Sequence, residues 1–165
     1  MRIILAIVLA LAPCLALADF TGRVVKIVDG DTLDILASET PIRVRLDSID
    51  APERGQAFGR RSHHSLARIC AGKHARVADR GKDRYGRSVG IVTCDTVEAN
   101  REQVRLGMAW VYVKYASAGS PLYGVQHEAR IERRGLWVDA NPVAPWKWRN
   151  RKRQRISDYR WPLPH

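Results

Sequence analysis

Asp29-Gly30-Asp31-Thr32 stands on one turn, Arg45 falls on the polar face of a strand, and Asp50-Ala51-Pro52-Glu53 follows just beyond it. Carboxylates at this density suit a divalent cation, which takes hard oxygen ligands, and a guanidinium fork matches two oxygens of a phosphodiester. The stretch reads as the front half of a metal-dependent nuclease site. Singly, each residue has a duller use. Aspartate beside glycine or ahead of a proline turn commonly caps backbone amides, and a lone arginine is commonly surface charge.

Positioning such a site falls to strands. β-branched residues and near-alternation mark strands at Phe20 to Val28, Thr32 to Ala37 and Pro41 to Asp47, with Asp29-Gly30 as a tight hairpin turn between the first two. In the third, Ile42, Val44 and Leu46 share one face while Arg43, Arg45 and Asp47 share the other, so Arg45 leaves the core. Helices fit Ala57 to Ile69, Val97 to Leu106 and Leu122 to Arg134, with short strands near His74 to Asp79 and Ser88 to Cys94. Five short strands interrupted by one helix fit an α+β, mainly β fold: a five-stranded OB-fold Greek-key barrel with three helices.

Composition agrees with a nucleic-acid partner without proving one. The 165 residues suffice for one domain with a real core, and the net charge of +11 raises encounter rates with polyanions, although it also fits a solvated surface. No strongly amphipathic basic helix points to a membrane-active protein. Arg2, the apolar run Ile3 to Ala12 and Ala16-Leu17-Ala18 have the layout of a signal peptide over residues 1–18, cleaved near Ala18, which makes the protein secreted or periplasmic. The run, broken by Pro13, falls short of the roughly 20 residues of a bilayer span, so no stable membrane insertion is expected after cleavage. Cys14 leaves with the signal. Cys70 and Cys94 remain as an even pair in an exported protein, for which a disulfide is the natural expectation and two buried thiols the alternative.

Asp83-Arg84-Tyr85-Gly86-Arg87 makes a polar turn between the last two strands. Together with Ile27 to Thr32, Val44-Arg45-Leu46, Asp50 to Glu53 and Gly107-Met108-Ala109, it resembles the staphylococcal (micrococcal) nuclease family, in order and with compatible spacing from about Val24 to Trp137. The resemblance implies a calcium ion held by Asp31, Asp50 and the main-chain carbonyl of Ala51, where the family usually has threonine. It implies that Glu53 acts as general base or orients the attacking water, and that Arg45 and Arg87 hold the phosphate in the transition state. Tyr85 and Tyr115 match positions lining the nucleotide pocket, with Arg84 as a further substrate-binding candidate; packing at the barrel rim is the other use for such rings. Val113 replaces an expected tyrosine, and Tyr112 sits one position earlier.

Calcium takes six to eight oxygens, so two aspartates leave positions for water and a phosphate oxygen. The expected protein is a monomeric calcium-dependent endonuclease that hydrolyses DNA and RNA with little sequence preference and leaves 3′-phosphate ends. The alternative is a non-catalytic nucleic-acid-binding OB-fold module, which would have no need to keep Asp31, Arg45, Asp50, Glu53 and Arg87 together. The nuclease-like domain is set at residues 19–148 and a basic C-terminal tail at 149–165. From Trp146 to Trp161, cationic residues interleave with aromatics, a mix that suits phosphate tracking and base stacking and equally a solvated tail; Trp146 to Trp148 alternatively packs back on the barrel. His63 and His64 point about 100° apart on a helix and complete no metal motif.

Overall fold

The computed structural model describes residues 19–158; the expected signal segment, residues 1–18, and the tail from Tyr159 onward lie outside the described residues. Strands β1 (Phe20–Ile27), β2 (Thr32–Ala37) and β3 (Thr40–Leu46) form the expected antiparallel meander, and β4 (Ile49–Asp50) is a two-residue strand beyond it. After α1 (Gly59–Cys70) come β5 (His74–Lys82) and β6 (Ser88–Cys94). The sheet order is β3-β2-β1-β5-β6, and parallel pairing of β3 with β6 closes it into a five-stranded barrel. The barrel is thus the OB fold that the strand pattern suggested, since closure removes both edges of a short sheet.

Then follow β7 (Val97–Glu98), α2 (Ala99–Arg105), β8 (Trp110–Val111), α3 (Leu122–Ile131), a 3-10 turn at Gly135–Val138 and α4 (Pro145–Asp158). Three helices were expected and α4 makes a fourth, so the boundary drawn after Trp148 falls inside a helix. Pro145 opens it, at a first-turn position where the missing N–H costs nothing. Trp146 stacks on Tyr112 at 5.1 Å between ring centres and meets Trp110 edge-on at 5.7 Å. Trp148 sits over a shallow groove with Pro52, Phe58 and Trp110. Trp146 and Trp148 are therefore anchors that seat α4 on the domain.

The inward-facing rows of the strands fill the barrel. Leu33, Ile35, Val44, Leu46, Val77 and Val92 are fully buried, joined by Leu66 of α1 and Val104 of α2. Each such side chain contributes about 1.5–3 kcal/mol of burial free energy. Cys70 at the end of α1 and Cys94 at the end of β6 form the disulfide, with Cα atoms 5.3 Å apart. Two buried amides tie α2 to the barrel. Asn100 accepts from Val92 N at 2.9 Å and donates to Asp47 O and Gly90 O, while Gln103 Nε2 donates to Gly30 O at 2.6 Å and Ser62 O at 3.1 Å. Buried amide groups need such partners, and here they include Gly30 O of the β1–β2 loop and Asp47 O just past β3.

Candidate active site

The β1–β2 connection is a four-residue loop, Val28 to Asp31, closed by Val28 N and Asp29 N donating to Thr32 O at 2.9 and 3.2 Å. This corrects the expected two-residue hairpin turn. Gly30 is required for room and not for a left-handed backbone: a Cβ there would lie 2.0 Å from Ser62 Oγ and 2.8 Å from Ala51 Cβ. The loop is drawn tight against α1, and Asp31 is thereby pushed inward beside β3.

Asp31 extends the β2–β3 ladder, its carbonyl accepting from Leu46 N at 2.8 Å. Its Oδ1 accepts from Thr32 Oγ1 at 2.9 Å and Arg45 Nη1 at 3.0 Å, and its Oδ2 from Ala51 N at 2.8 Å. Arg45, opposite Thr32 in the ladder, turns its other nitrogen to Asp50 Oδ1 at 3.0 Å and Ile49 O at 3.1 Å. Arg45 thus stands on the polar face of β3 as the alternation required. Burial opposes its charge, yet Asp31 and Asp50 outweigh that and raise its pKa. Asp50, fully buried, is placed by the miniature ladder of β4 with β8, in which it faces Trp110.

Glu53 follows on the loop into α1. Its main chain is pinned by Gln56 N donating to Glu53 O at 2.8 Å and by Gly59, where a Cβ would lie 1.9 Å from that carbonyl. Its carboxylate accepts from Arg149 Nη1 of α4 at 2.7 Å. Arg149 also grips both oxygens of Asp50, at 3.2 Å to Oδ1 and 2.7 Å to Oδ2. Burial works against the Arg149 charge, but the bonds to Asp50 and Glu53 prevail and its pKa is raised above the ordinary arginine value. For Asp50, burial raises the pKa and the Arg149 bond pulls it back only in part.

Five of the residues singled out from sequence therefore converge: Asp31, Arg45, Asp50, Ala51 and Glu53. Arg87 does not join their hydrogen bonds. It leaves the turn ahead of β6, and its Nε and Nη2 bind Asp83 Oδ2 at 2.7 and 2.6 Å. Burial would raise the Asp83 pKa, but Arg87 and the amides of Tyr85 and Arg87 hold it below the usual carboxylate range. Arg87 lines an open groove with Tyr85, Gly86, Pro41, Asp34 and Arg43, and Arg43 stands two residues before Arg45 on the same face of β3. Arg84 and Arg87 lie over the Tyr85 ring at 4.7 and 5.5 Å, and Tyr85 is 68% exposed. Tyr115 is exposed on a separate loop, edge-on to Tyr112 at 4.9 Å. Tyr112 itself is taken up by Trp146, so its place one residue early serves the docking of α4.

Sequence reasoning missed Asp29 and Arg149 as site residues. Asp29 Oδ1 accepts from Asp31 N at 3.0 Å, and burial plus the neighbouring Asp31 charge push its pKa up to about 7. Arg149 was hidden in a run of tail cations; the flanking Pro145, Trp146 and Trp148 were the available signal that this part of the run is seated.

No group of three or more His, Cys, Asp or Glu side chains in metal-holding geometry occurs among the described residues. The donor set nonetheless fits a hard cation. Asp31 and Asp50 are buried carboxylates bridged by a single guanidinium, so their oxygens lie close together. Asp31, Asp50 and Glu53 meet two guanidinia, Arg45 and Arg149, within this network, and Asp29 adds a fourth carboxyl group whose pKa is pushed up to about 7. Ionised carboxylates thus outnumber the guanidinia they touch, an excess of negative charge that a bound cation would offset.

A closed OB barrel with buried aspartates and arginines gathered beside a basic groove defines a phosphodiester-hydrolase type of site. Comparison with known proteins makes the class specific. Residues 43–139 match the family described as staphylococcal nuclease homologue. An Escherichia coli O157:H7 protein named "Uncharacterized endonuclease" is 46% identical over 136 residues, covering 82% of this chain and 88% of that one. A Shigella flexneri protein named "Micrococcal nuclease" is 42% identical over 159 residues, covering 90% and 91%. A Haemophilus influenzae protein, also named "Uncharacterized endonuclease", is 43% identical over 142 residues, covering 84% and 79%. The chain belongs to the staphylococcal nuclease family. It is a nuclease, a hydrolase of phosphodiester bonds.

Proposed function

We propose that this nuclease is an exported, calcium-dependent endonuclease that cuts DNA and RNA with little sequence preference and leaves 3′-phosphate ends. The observation that carries the reading is the joint network of Asp31, Arg45 and Asp50, closed by Glu53 at its open side. Asp31, Asp50 and the Ala51 carbonyl would hold the metal. Bound there, it would supply Lewis-acid polarisation of a phosphate oxygen. The Ala51 methyl in place of a hydroxyl leaves the main-chain ligand untouched.

Glu53, half-exposed beside the buried aspartates, would orient a water and accept its proton as the water oxygen bonds to phosphorus. The P–O5′ bond breaks as that bond forms, and the departing oxygen takes up a proton, leaving the phosphate on the 3′ side. Arg45 presents a planar fork beside the aspartates, and Arg87 lines the adjoining groove; together they would bind the phosphate and offset charge as it gathers on the equatorial oxygens. Tyr85 lines the same groove with Arg84 against its ring, and the pair would offer a stacking surface that every base can use. The net charge of +11 supports polyanion substrates, the signal-like first 18 residues support export, and the Cys70–Cys94 disulfide suits an oxidising compartment.

Incubation of 5′-labelled single-stranded DNA and RNA with the protein in calcium, followed by phosphatase treatment of the fragments, tests the reading. Mobility shifts on removal of a 3′-terminal phosphate from both polymers are expected. Fragments bearing 3′-hydroxyl and 5′-phosphate ends would contradict the assigned direction of attack. Binding without cleavage would favour a non-catalytic nucleic-acid module.

A further inference from the structure

Arg149 lies beyond the matched residues 43–139 and yet makes the shortest contacts to the two acidic side chains at the open side of the site. Both oxygens of Asp50 are occupied: Oδ1 by Arg45 and Arg149, Oδ2 by Arg149. One lone pair of Oδ2 stays open to a cation, but two guanidinium charges on one carboxylate oppose its arrival, and the more weakly held of the two is the one it would displace. The two are not equivalent. Arg45 comes from within the barrel wall, is 15% exposed, and is held as well by Asp31 and the Ile49 carbonyl. Arg149 comes from a surface helix, is 35% exposed, and its hydrogen bonds run to Asp50 and Glu53.

The seat of α4 does not depend on those bonds. Trp146 stacks on Tyr112, Trp148 covers the groove beside Pro52 and Phe58, and Gln56 Nε2 donates to Val143 O just ahead of the helix. The guanidinium can leave Asp50 by rotating its own long side chain while the helix stays docked.

We propose that Arg149 is a positioning residue of the active site, an internal cation that binds Asp50 and Glu53 until a divalent metal takes Asp50 from it. This rests on the metal-dependent reading above. While Arg149 is bound, it keeps two neighbouring carboxylates from repelling each other and holds Glu53 toward the aspartates. Once the metal is bound, it is free of Asp50.

Calorimetric titration of calcium chloride into the wild-type, Arg149→Gln and Arg149→Lys proteins tests the exchange. Glutamine removes the competing charge, and a charge-assisted pair of this kind corresponds to about a tenfold change in affinity. Arg149→Gln should bind calcium about tenfold more tightly than wild type, with Arg149→Lys in between because a point charge replaces the fork only in part. A merely structural Arg149 would leave the dissociation constant unchanged or weaken binding, and either result with a calcium-binding wild type overturns the proposal. If neither wild type nor Arg149→Gln binds calcium, the metal reading falls and the exchange falls with it. Should Arg149→Gln fail to fold, NMR of the wild type decides. Calcium should shift the Arg149 Nε–H resonance and leave the Trp146 indole in place, and an unmoved Arg149 at saturating calcium overturns the exchange.

Discussion

Arg45 and Arg87 carry the same chemistry and are held in opposite ways. Arg45 is built into the barrel wall, bridges two buried aspartates, and is held by Asp31 of the β1–β2 loop and by Ile49 and Asp50 of β4. Arg87 is paired within its own turn to Asp83, four residues away, at the mouth of an open groove. The first arginine is part of what lets two carboxylates be buried, so its contribution to folding and to the reaction cannot be separated. The second is restrained by one local pair and can be surrendered to a phosphate without disturbing the barrel. Burial decides which arginine the fold needs and which the substrate can recruit.

Arg45→Ala should produce the largest effect. It leaves Asp31 buried without a guanidinium and Asp50 with Arg149 alone, and breaking such a network costs about 3–5 kcal/mol, so urea unfolding in chelator should show a loss of that order along with loss of cleavage. Arg87→Ala should separate what Arg45→Ala combines. Cleavage should fall about 10²–10³-fold, as for removal of one transition-state donor, while stability changes by no more than about 1 kcal/mol. Equal destabilisation by the two variants would dissolve the contrast. Replacing Cys70 and Cys94 by serine releases a loop spanning 24 residues and should cost about 3 kcal/mol, read in the same unfolding assay with little change in turnover at low temperature.

The smallest effect belongs to pH at Asp83. Its pKa lies below the usual carboxylate range in the fold, so its pairing with Arg87 contributes stability that is present above about pH 4 and is lost as the pH falls through the lowered value. Asp83→Asn should erase that acid-side slope, and the whole effect should stay within about 1 kcal/mol because the pair is near the surface.

What the sequence displayed follows the same division between local pattern and long-range contact. Alternation in β3 placed Arg45 opposite Ile42, Val44 and Leu46, because a strand has only two faces. Gly30 was misjudged as a turn residue since its neighbours are polar; its true constraint is Ser62, 32 positions away, which no local pattern exposes. Asn100 and Gln103 look like solvent-facing helix residues and are instead buried hydrogen-bond anchors for the site loops. Arg149 was lost among Lys147, Arg151, Lys152 and Arg153, and only the register set by Trp146 and Trp148 turns this one cation toward Asp50. Residues whose neighbours are near in sequence were legible. Those defined by packing partners were not.

The most direct test of the central claim is cleavage of single-stranded DNA by the protein in calcium and in chelator, run beside Glu53→Gln. Cutting in calcium, none in chelator, and a loss of about 10²–10⁴-fold in Glu53→Gln is the result predicted for a metal-dependent site with Glu53 handling the water. Undiminished cutting in chelator, or by Glu53→Gln in calcium, would contradict it.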